Sequence, residues 1–232
     1  MDFFCASRTH VGLRRKLNED AFLVSPDTGL WVVADGMGGH EAGDIASRMI
    51  VEAIGALPDV AFEGPEAALR AVNAALVRLA AQRYGERTVG STAVVLSVKD
   101  SAYRCLWVGD SRAYLLRSGK LGQLTRDHSL VQDLVDAGML NAEDAEGHPN
   151  ANVVTRAVGA STDLQVDVVT GTIMHGDLFL LASDGLTRVV PHDDLHRILS
   201  TGTLEQKADR LIARTLESGA PDNVTIVLIE AR

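Results

Sequence analysis

The sequence predicts an α+β fold, and three observations carry that reading. Short, strongly apolar runs of strand length recur from end to end, at 30–34, 93–98, 103–108, 178–182 and 224–229. Between them lie longer stretches with helical apolar spacing, and these come in pairs. The chain has 232 residues, 46% of them apolar, with no low-complexity tract, long linker or fixed-period repeat. That is enough for a full core in a single domain spanning residues 1–232.

Taken in order, residues 2–8 read as a first strand. A basic cluster, Arg14-Arg15-Lys16, then runs into Asn18-Glu19-Asp20. Residues 21–24 form a second strand, so Asp20 stands at its start. Ser25-Pro26-Asp27-Thr28-Gly29 has turn chemistry and suggests a hairpin. The next strand, Leu30-Trp31-Val32-Val33-Ala34, runs straight into Asp35 and then Gly36-Met37-Gly38-Gly39-His40. An apolar run of this kind reads as a strand buried on both faces. Glycines after it let backbone approach a ligand closely.

A helix is expected over 41–57, with Ile45, Met49, Ala53, Ile54 and Leu57 on one face and Pro58 ending it. A second starts near Pro65 with the stripe Leu69, Val72, Leu76 and Leu79. Gly90-Ser91-Thr92 leads into strands at 93–98 and 103–108, and the second of these ends in Gly109-Asp110-Ser111-Arg112. A hairpin closes at Ser118-Gly119. Thr125-Arg126-Asp127-His128-Ser129 precedes a helix with Leu130, Leu134 and Val135, stopped at Gly138. Residues 141–160 are the least regular, and a strand follows within 164–173. Residues 178–182 then repeat the opening pattern, an apolar run leading to Asp184-Gly185. Helices follow after Pro191 and after Thr203, where Thr203 and Gln206 fit a capping box. Pro221-Asp222-Asn223 opens the last strand.

Asp20, Asp35, Asp110, Asp184 and Asp222 thus all flank apolar strands. Each alone reads as a turn or cap residue. Together they imply carboxylates gathered at strand ends, which repel unless protonated or neutralised. No Lys or Arg run sits beside Asp35, Asp184 or Asp222, so cations are the economical partner. The donors are all oxygen and no Cys/His set has zinc spacing, which favours Mg2+ or Mn2+. A metal-dependent phosphoryl hydrolase is one candidate on spacing alone.

Seven motifs add to this in order: Arg15-Lys16-Leu17-Asn18-Glu19-Asp20, Val33 to His40, Gly90-Ser91-Thr92, Val108 to Arg112, Thr125 to Ser129, Ala182 to Leu186, and Asp222-Asn223-Val224-Thr225. Together they resemble the metal-dependent serine/threonine protein phosphatases of type 2C, in their compact bacterial form. The resemblance covers the chain from end to end. It implies a four-layer α-β-β-α sandwich with two central antiparallel sheets. It also implies two Mn2+ or Mg2+ ions, with Asp35 bridging them, the Gly36 carbonyl on one, Asp184 and Asp222 on the second, and Asp20 acting through water or close by. Asp127, shared with Asp184, would hold a third, weaker ion. Asp110 would border the site in a structural role. A water bridging the two ions would attack phosphorus in line, and Arg15 would bind the phosphate. His40 would donate a proton or position substrate, or simply start a helix. Residues 141–160 resemble the flap beside the bacterial active site, with Arg156 as its residue for substrate.

The implied activity is hydrolysis of phosphoserine and phosphothreonine in proteins, opposite a Ser/Thr kinase. Alternatives are an inactive phosphoprotein-binding member, a phosphatase of an anti-sigma antagonist, and a phosphoesterase for small molecules or nucleic acid. Net charge of −9 disfavours nucleic acid. No segment approaches the about 18 to 20 apolar residues that span a bilayer, and residues 1–7 lack signal-peptide character, so no membrane association and a cytoplasmic monomer are expected. A thiol phosphatase is rejected: Arg112 lies one position too far from Cys105 for a Cys-x5-Arg loop, and Asp110 would oppose a thiolate.

Overall fold

In the apolar run at 30–34, successive residues serve opposite sides. The structure is a computed structural model that describes residues 1–38, 41–57, 64–85, 88–145 and 147–232. It makes this run part of strand β3 (Leu30–Met37). Leu30, Val32 and Ala34 join one apolar cluster, while Trp31 and Val33 join another. Side chains alternate along a strand, so an unbroken apolar run means that both faces of its sheet are covered.

Among the described residues the strands form two antiparallel sheets. One has the order β1 (Phe3–His10), β11 (Val224–Ala231), β10 (Leu178–Ala182), β7 (Arg112–Arg117), β8 (Lys120–Gln123). The other has the order β2 (Asp20–Ser25), β3, β5 (Ala93–Lys99), β6 (Ala102–Val108), β9 (Asp167–Thr172). The two-residue β4 (Gly90–Ser91) pairs with the end of β3.

Three apolar layers hold these sheets and their helices together. Trp31, Val94, Leu96, Trp107, Phe179, Leu181 and Val227 fill the space between the sheets. Ile50 and Ile54 of α1 (Glu41–Gly55), with Leu69 and Leu76 of α2 (Gly64–Leu79), pack on β3, β5 and β6. On the far side, α4 (Asp184–Thr187), α5 (His192–Leu199) and α6 (Leu204–Glu217) cover Leu180, Ile226 and Leu228 through Leu186, Leu195 and Leu211. The result is the α-β-β-α sandwich that the resemblance implies. The short α3 (Leu130–Asp136) leads into the irregular segment at 141–160.

Local chemistry explains where the elements end. Ser118 and Gly119 both take positive φ, 49° and 76°, and close the β7–β8 hairpin with a twist that suits the strands. The capping box at α6 is formed in both directions, Thr203 to Gln206 and back. Ser129 caps α3 by accepting from the Gln132 amide.

Two expectations shift. The innermost residues of α1 are Ala42, Ala46, Ile50 and Ile54, with Ile45 only partly buried. Small alanines allow the helix to sit close to the sheet, and a count of large apolar residues passes over them. On α3 the buried residue is Val131 rather than Leu130, Leu134 or Val135. Pro58, expected to end α1, lies outside the described residues.

A methyl group tests the tight seam between α4 and β11. A Cβ on Gly185 would stand 1.8 Å from the Asn223 carbonyl oxygen, whereas one on Gly122 would meet nothing within 4 Å. Gly185→Ala is expected to cost about 1–3 kcal/mol, or roughly 3–10 °C in Tm for a chain of this size. Gly122→Ala should stay within about 0.5 kcal/mol of the parent. Thermal unfolding of both variants checks the pair; equal Tm values would contradict it.

Candidate metal centre

The antiparallel register of β2 and β3 places Asp20 directly opposite Asp35. Like charges in that relation are unfavourable, so the pair needs a compensating environment. The backbone around Asp35 is firmly held. Its amide donates to Thr92 Oγ1 at 3.1 Å, and its carbonyl accepts from the Thr92 amide at 2.8 Å and from Ser91 Oγ at 2.9 Å. Asp20 Oδ2 accepts from Ser183 Oγ at 2.9 Å, and this hydroxyl in turn accepts from the Thr225 amide. Ser183 immediately precedes Asp184, so the hydroxyl ties the two sheets together beside their acids.

Asp184 begins α4 and Asp222 lies two residues before β11. Because β10 and β11 pair antiparallel, the end of β10 meets the start of β11. Asn223 straps the 11–19 loop to this edge. Its Nδ2 donates to the Val11 and Leu17 carbonyls, both at 2.9 Å, and its Oδ1 accepts from the Glu19 amide at 2.9 Å. Arg15 is thereby placed over Asp222, with Nε 2.8 Å from Oδ1 and Nη2 2.7 Å from Oδ2. Gly36 sits in a cradle that no side chain could share: a Cβ there would lie 2.2 Å from the Gly43 carbonyl oxygen and 2.7 Å from that of Glu19.

These groups line a cavity of ≈ 350 Å³ that includes Arg15, Asp35, Gly36, Thr92, Asp110, Asp184, Arg188 and Asp222. Its carboxylates disturb one another. Burial, then the charges of Asp20, Asp184, Asp110 and Asp222, hold the Asp35 carboxyl well above the usual range. Burial raises Asp20 to about 6 against the opposing hydrogen bonds from Thr225 and Ser183. Burial also raises Asp184, with Arg188 opposing and the charges of Asp222 and Asp20 adding. Asp110 rises to about 7 through burial and the charge of Asp184.

With every carboxylate ionised, buried Asp20 Oδ1 and Asp184 Oδ1 have no hydrogen-bond donor. Unpartnered anionic oxygens beside a crowded Asp35 are what a hard divalent cation would satisfy. The residues at this end of the sandwich therefore fit Mn2+ or Mg2+. Among the described residues, no three acid, histidine or cysteine side chains already converge as a finished ion cage. Arg15 takes both oxygens of Asp222 and Arg188 takes one of Asp184.

The sequence-based expectations divide on this geometry. Arg15, Asp35, Gly36, Asp184 and Asp222 all line one cavity, and Asp20 adjoins it through its pairing with Asp35. Asp127 does not join them. It lines a neighbouring cavity of ≈ 270 Å³, where Arg112 grips both its oxygens at 2.7–3.0 Å. Asp127 shares that neighbouring cavity with Asp110, Asp184 and Arg188. Arg156 is also placed elsewhere. Its Nη1 lies 3.2 Å from Asp167 Oδ1 and 3.3 Å from His128 Nε2, which ties the end of the flap to β9. His40 lies outside the described residues.

Three contributors were not foreseen. Asn152 and Val154 of the flap line the acid cavity, and sequence pattern offers no signal for them. Arg188 pairs with Asp184 and Asp110, with Nε 3.0 Å and Nη2 2.9 Å from their Oδ2 atoms. No Lys or Arg run sits beside Asp184, yet this single arginine reaches it; the four-residue spacing was the available signal.

Comparison with known proteins gives a consistent result. The sequence model of the family described as "Protein phosphatase 2C" matches residues 8–224. A protein named serine/threonine phosphatase stp, from Listeria monocytogenes serovar 1/2a, is 38% identical over 96% of this chain and 94% of its own. A Pseudomonas aeruginosa structure described as PppA, a key regulatory component of T6SS, is 40% identical with a TM-score of 0.93, covering 100% of this chain and 99% of that one. The catalytic domain of the serine threonine protein phosphatase PstP, in complex with two manganese ions, is 32% identical with a TM-score of 0.89 over 99% of this chain and 98% of that one.

The raised carboxyls set a pH dependence with a definite sign. Between the unfolded value of 3.8 and the folded values of Asp20 and Asp110, about 6 and about 7, the folded state holds more protons than the unfolded state. Stability conferred by these protons is present at low pH and lost as pH rises through the folded values. In chelator, Tm is expected to fall from pH of about 5 to about 7.5, and Mn2+ should reverse that fall. Calorimetry in buffers of different ionisation enthalpy should detect protons released on Mn2+ binding at pH of about 6, with fewer at about 8. A metal-free Tm that rises over this window would contradict the assignment.

Proposed function

We propose that this chain, which belongs to the protein phosphatase 2C family, uses Asp20, Asp35, Asp184, Asp222 and the Gly36 carbonyl to hold two divalent cations for hydrolysis of phosphoserine and phosphothreonine in proteins. It is a serine/threonine protein phosphatase, a hydrolase of phosphoric monoesters that works with Mn2+ or Mg2+. The observation that carries the residue assignment is the pair of buried, donorless oxygens on Asp20 and Asp184 beside the crowded Asp35.

Two cations held there would supply positive charge to the phosphoryl group and would lower the pKa of water for attack on phosphorus. The chain's own residues do the rest. Thr92 and Ser91 fix Asp35 through its backbone, and Ser183 fixes Asp20, so the acids need no reorganisation. Gly36 keeps the floor of the cavity free of side chain. Arg15 stands at the rim with its side chain 52% exposed, and its planar fork matches two phosphate oxygens as well as it matches Asp222. His40, three residues past the Asp35-Gly36-Met37 step, is assigned a proton-donating or positioning role on the resemblance alone.

The chain is read as one phosphatase domain, with residues 141–160 as its flap. Its partners are phosphorylated proteins, and a Ser/Thr kinase is proposed to supply them. We place the protein in the cytoplasm as a monomer: its cysteines, Cys5 and Cys105, are both free thiols, which suits a reducing compartment. No described helix is long and apolar enough to cross a membrane.

Hydrolysis of p-nitrophenyl phosphate and of a phosphothreonine peptide, with and without Mn2+, tests the assignment. Asp35→Asn and Asp184→Asn are expected to lose essentially all Mn2+-dependent turnover. Arg15→Ala removes two charge-assisted hydrogen bonds and should lower kcat/KM by roughly 10- to 100-fold, mostly through KM. Full turnover by Asp184→Asn, or none by the parent with Mn2+, would overturn it.

A further inference from the structure

We propose that Arg188 is a resident cation that fills the place of a third metal ion, so that this phosphatase loads two ions and no more. The inference rests on the two-ion reading of Asp20, Asp35, Asp184 and Asp222. Arg188 follows Asp184 by four positions, at the end of the single turn α4, which brings its side chain back over that acid. Its Nε stands 3.0 Å from Asp184 Oδ2. Its Nη2 stands 2.9 Å from Asp110 Oδ2 and donates to the Ala151 carbonyl at 3.2 Å. One guanidinium thus joins two acids and a flap carbonyl.

Its pairings mark off two kinds of oxygen. Asp110, Asn152, Asp184 and Arg188 line both the acid cavity and the neighbouring cavity that holds Asp127, so Arg188 stands in the wall between them. Buried Asp20 Oδ1 and Asp184 Oδ1 lack donors. Other oxygens are taken: Asp184 Oδ2 and Asp110 Oδ2 by Arg188, and both oxygens of Asp127 by Arg112. A third divalent ion between Asp110 and Asp184 would have to displace Arg188 from both acids and from the Ala151 carbonyl. A guanidinium keeps its charge at every working pH and cannot wash out. The charge beside the two-ion site is therefore fixed by the chain instead of by metal concentration, and the same group holds the flap at Ala151.

Mn2+ bound per chain, counted by equilibrium dialysis and elemental analysis over rising Mn2+, tests this without reference to turnover. The parent is expected to level at about two ions. Arg188→Asn should take up one ion more, weakly, and lose it again when combined with Asp110→Asn. A parent plateau of about three would overturn the proposal, as would a folded Arg188→Asn that still levels at about two. Should Arg188→Asn not fold, the plateau of the parent decides alone. A parent plateau below about two would sink the two-ion reading itself, and this inference with it.

Discussion

Two carboxylates face each other across a strand pair, Asp20 opposite Asp35, at the end of a sheet buried on both faces. Much of the surrounding structure answers that unfavourable juxtaposition. The strands cannot splay to relieve it, because Trp31 and Val33 are locked between the sheets and Val32 and Ala34 under the helices. Protonation relieves it in part, since burial and neighbouring charge push both carboxyls up. Hard divalent cations are the partners that such paired carboxylate oxygens suit.

Arginines finish the compensation around the edge. Arg15 attends Asp222, Arg112 attends Asp127, and Arg188 attends Asp110 and Asp184. They differ in how firmly they are held. Arg15 is half exposed and pairs with Asp222. Arg112 and Arg188 are more enclosed and tied to groups deeper in the fold. Exposure sets Arg15 apart from the two more enclosed guanidinium groups.

The sequence carried most of the scaffold. Unbroken apolar runs marked the strands because four layers bury both faces of each sheet, and the capping box and the Ser118-Gly119 turn formed as their chemistry requires. The acids at strand ends were legible for the same reason, since each interrupts an apolar run. Less legible were contacts made by residues without periodicity. Nothing in the pattern set Asn152 and Val154 against the cavity, or drew Arg156 away from it to Asp167 and His128. Alanines at 42 and 46 were passed over because close approach depends on small size, which a hydropathy pattern does not register.

By itself, then, the sequence determined which acids would sit at the ends of buried strands and, through seven ordered motifs, which family chemistry they resemble. These are local properties: an apolar run, a charge after it, a glycine where backbone must come close. Only the tertiary structure decided which base meets which acid. Arg15 and Asp222 are 207 positions apart and Arg188 and Asp110 are 78 apart. An ion pair depends on distance through space, and the folding of two sheets face to face sets that distance.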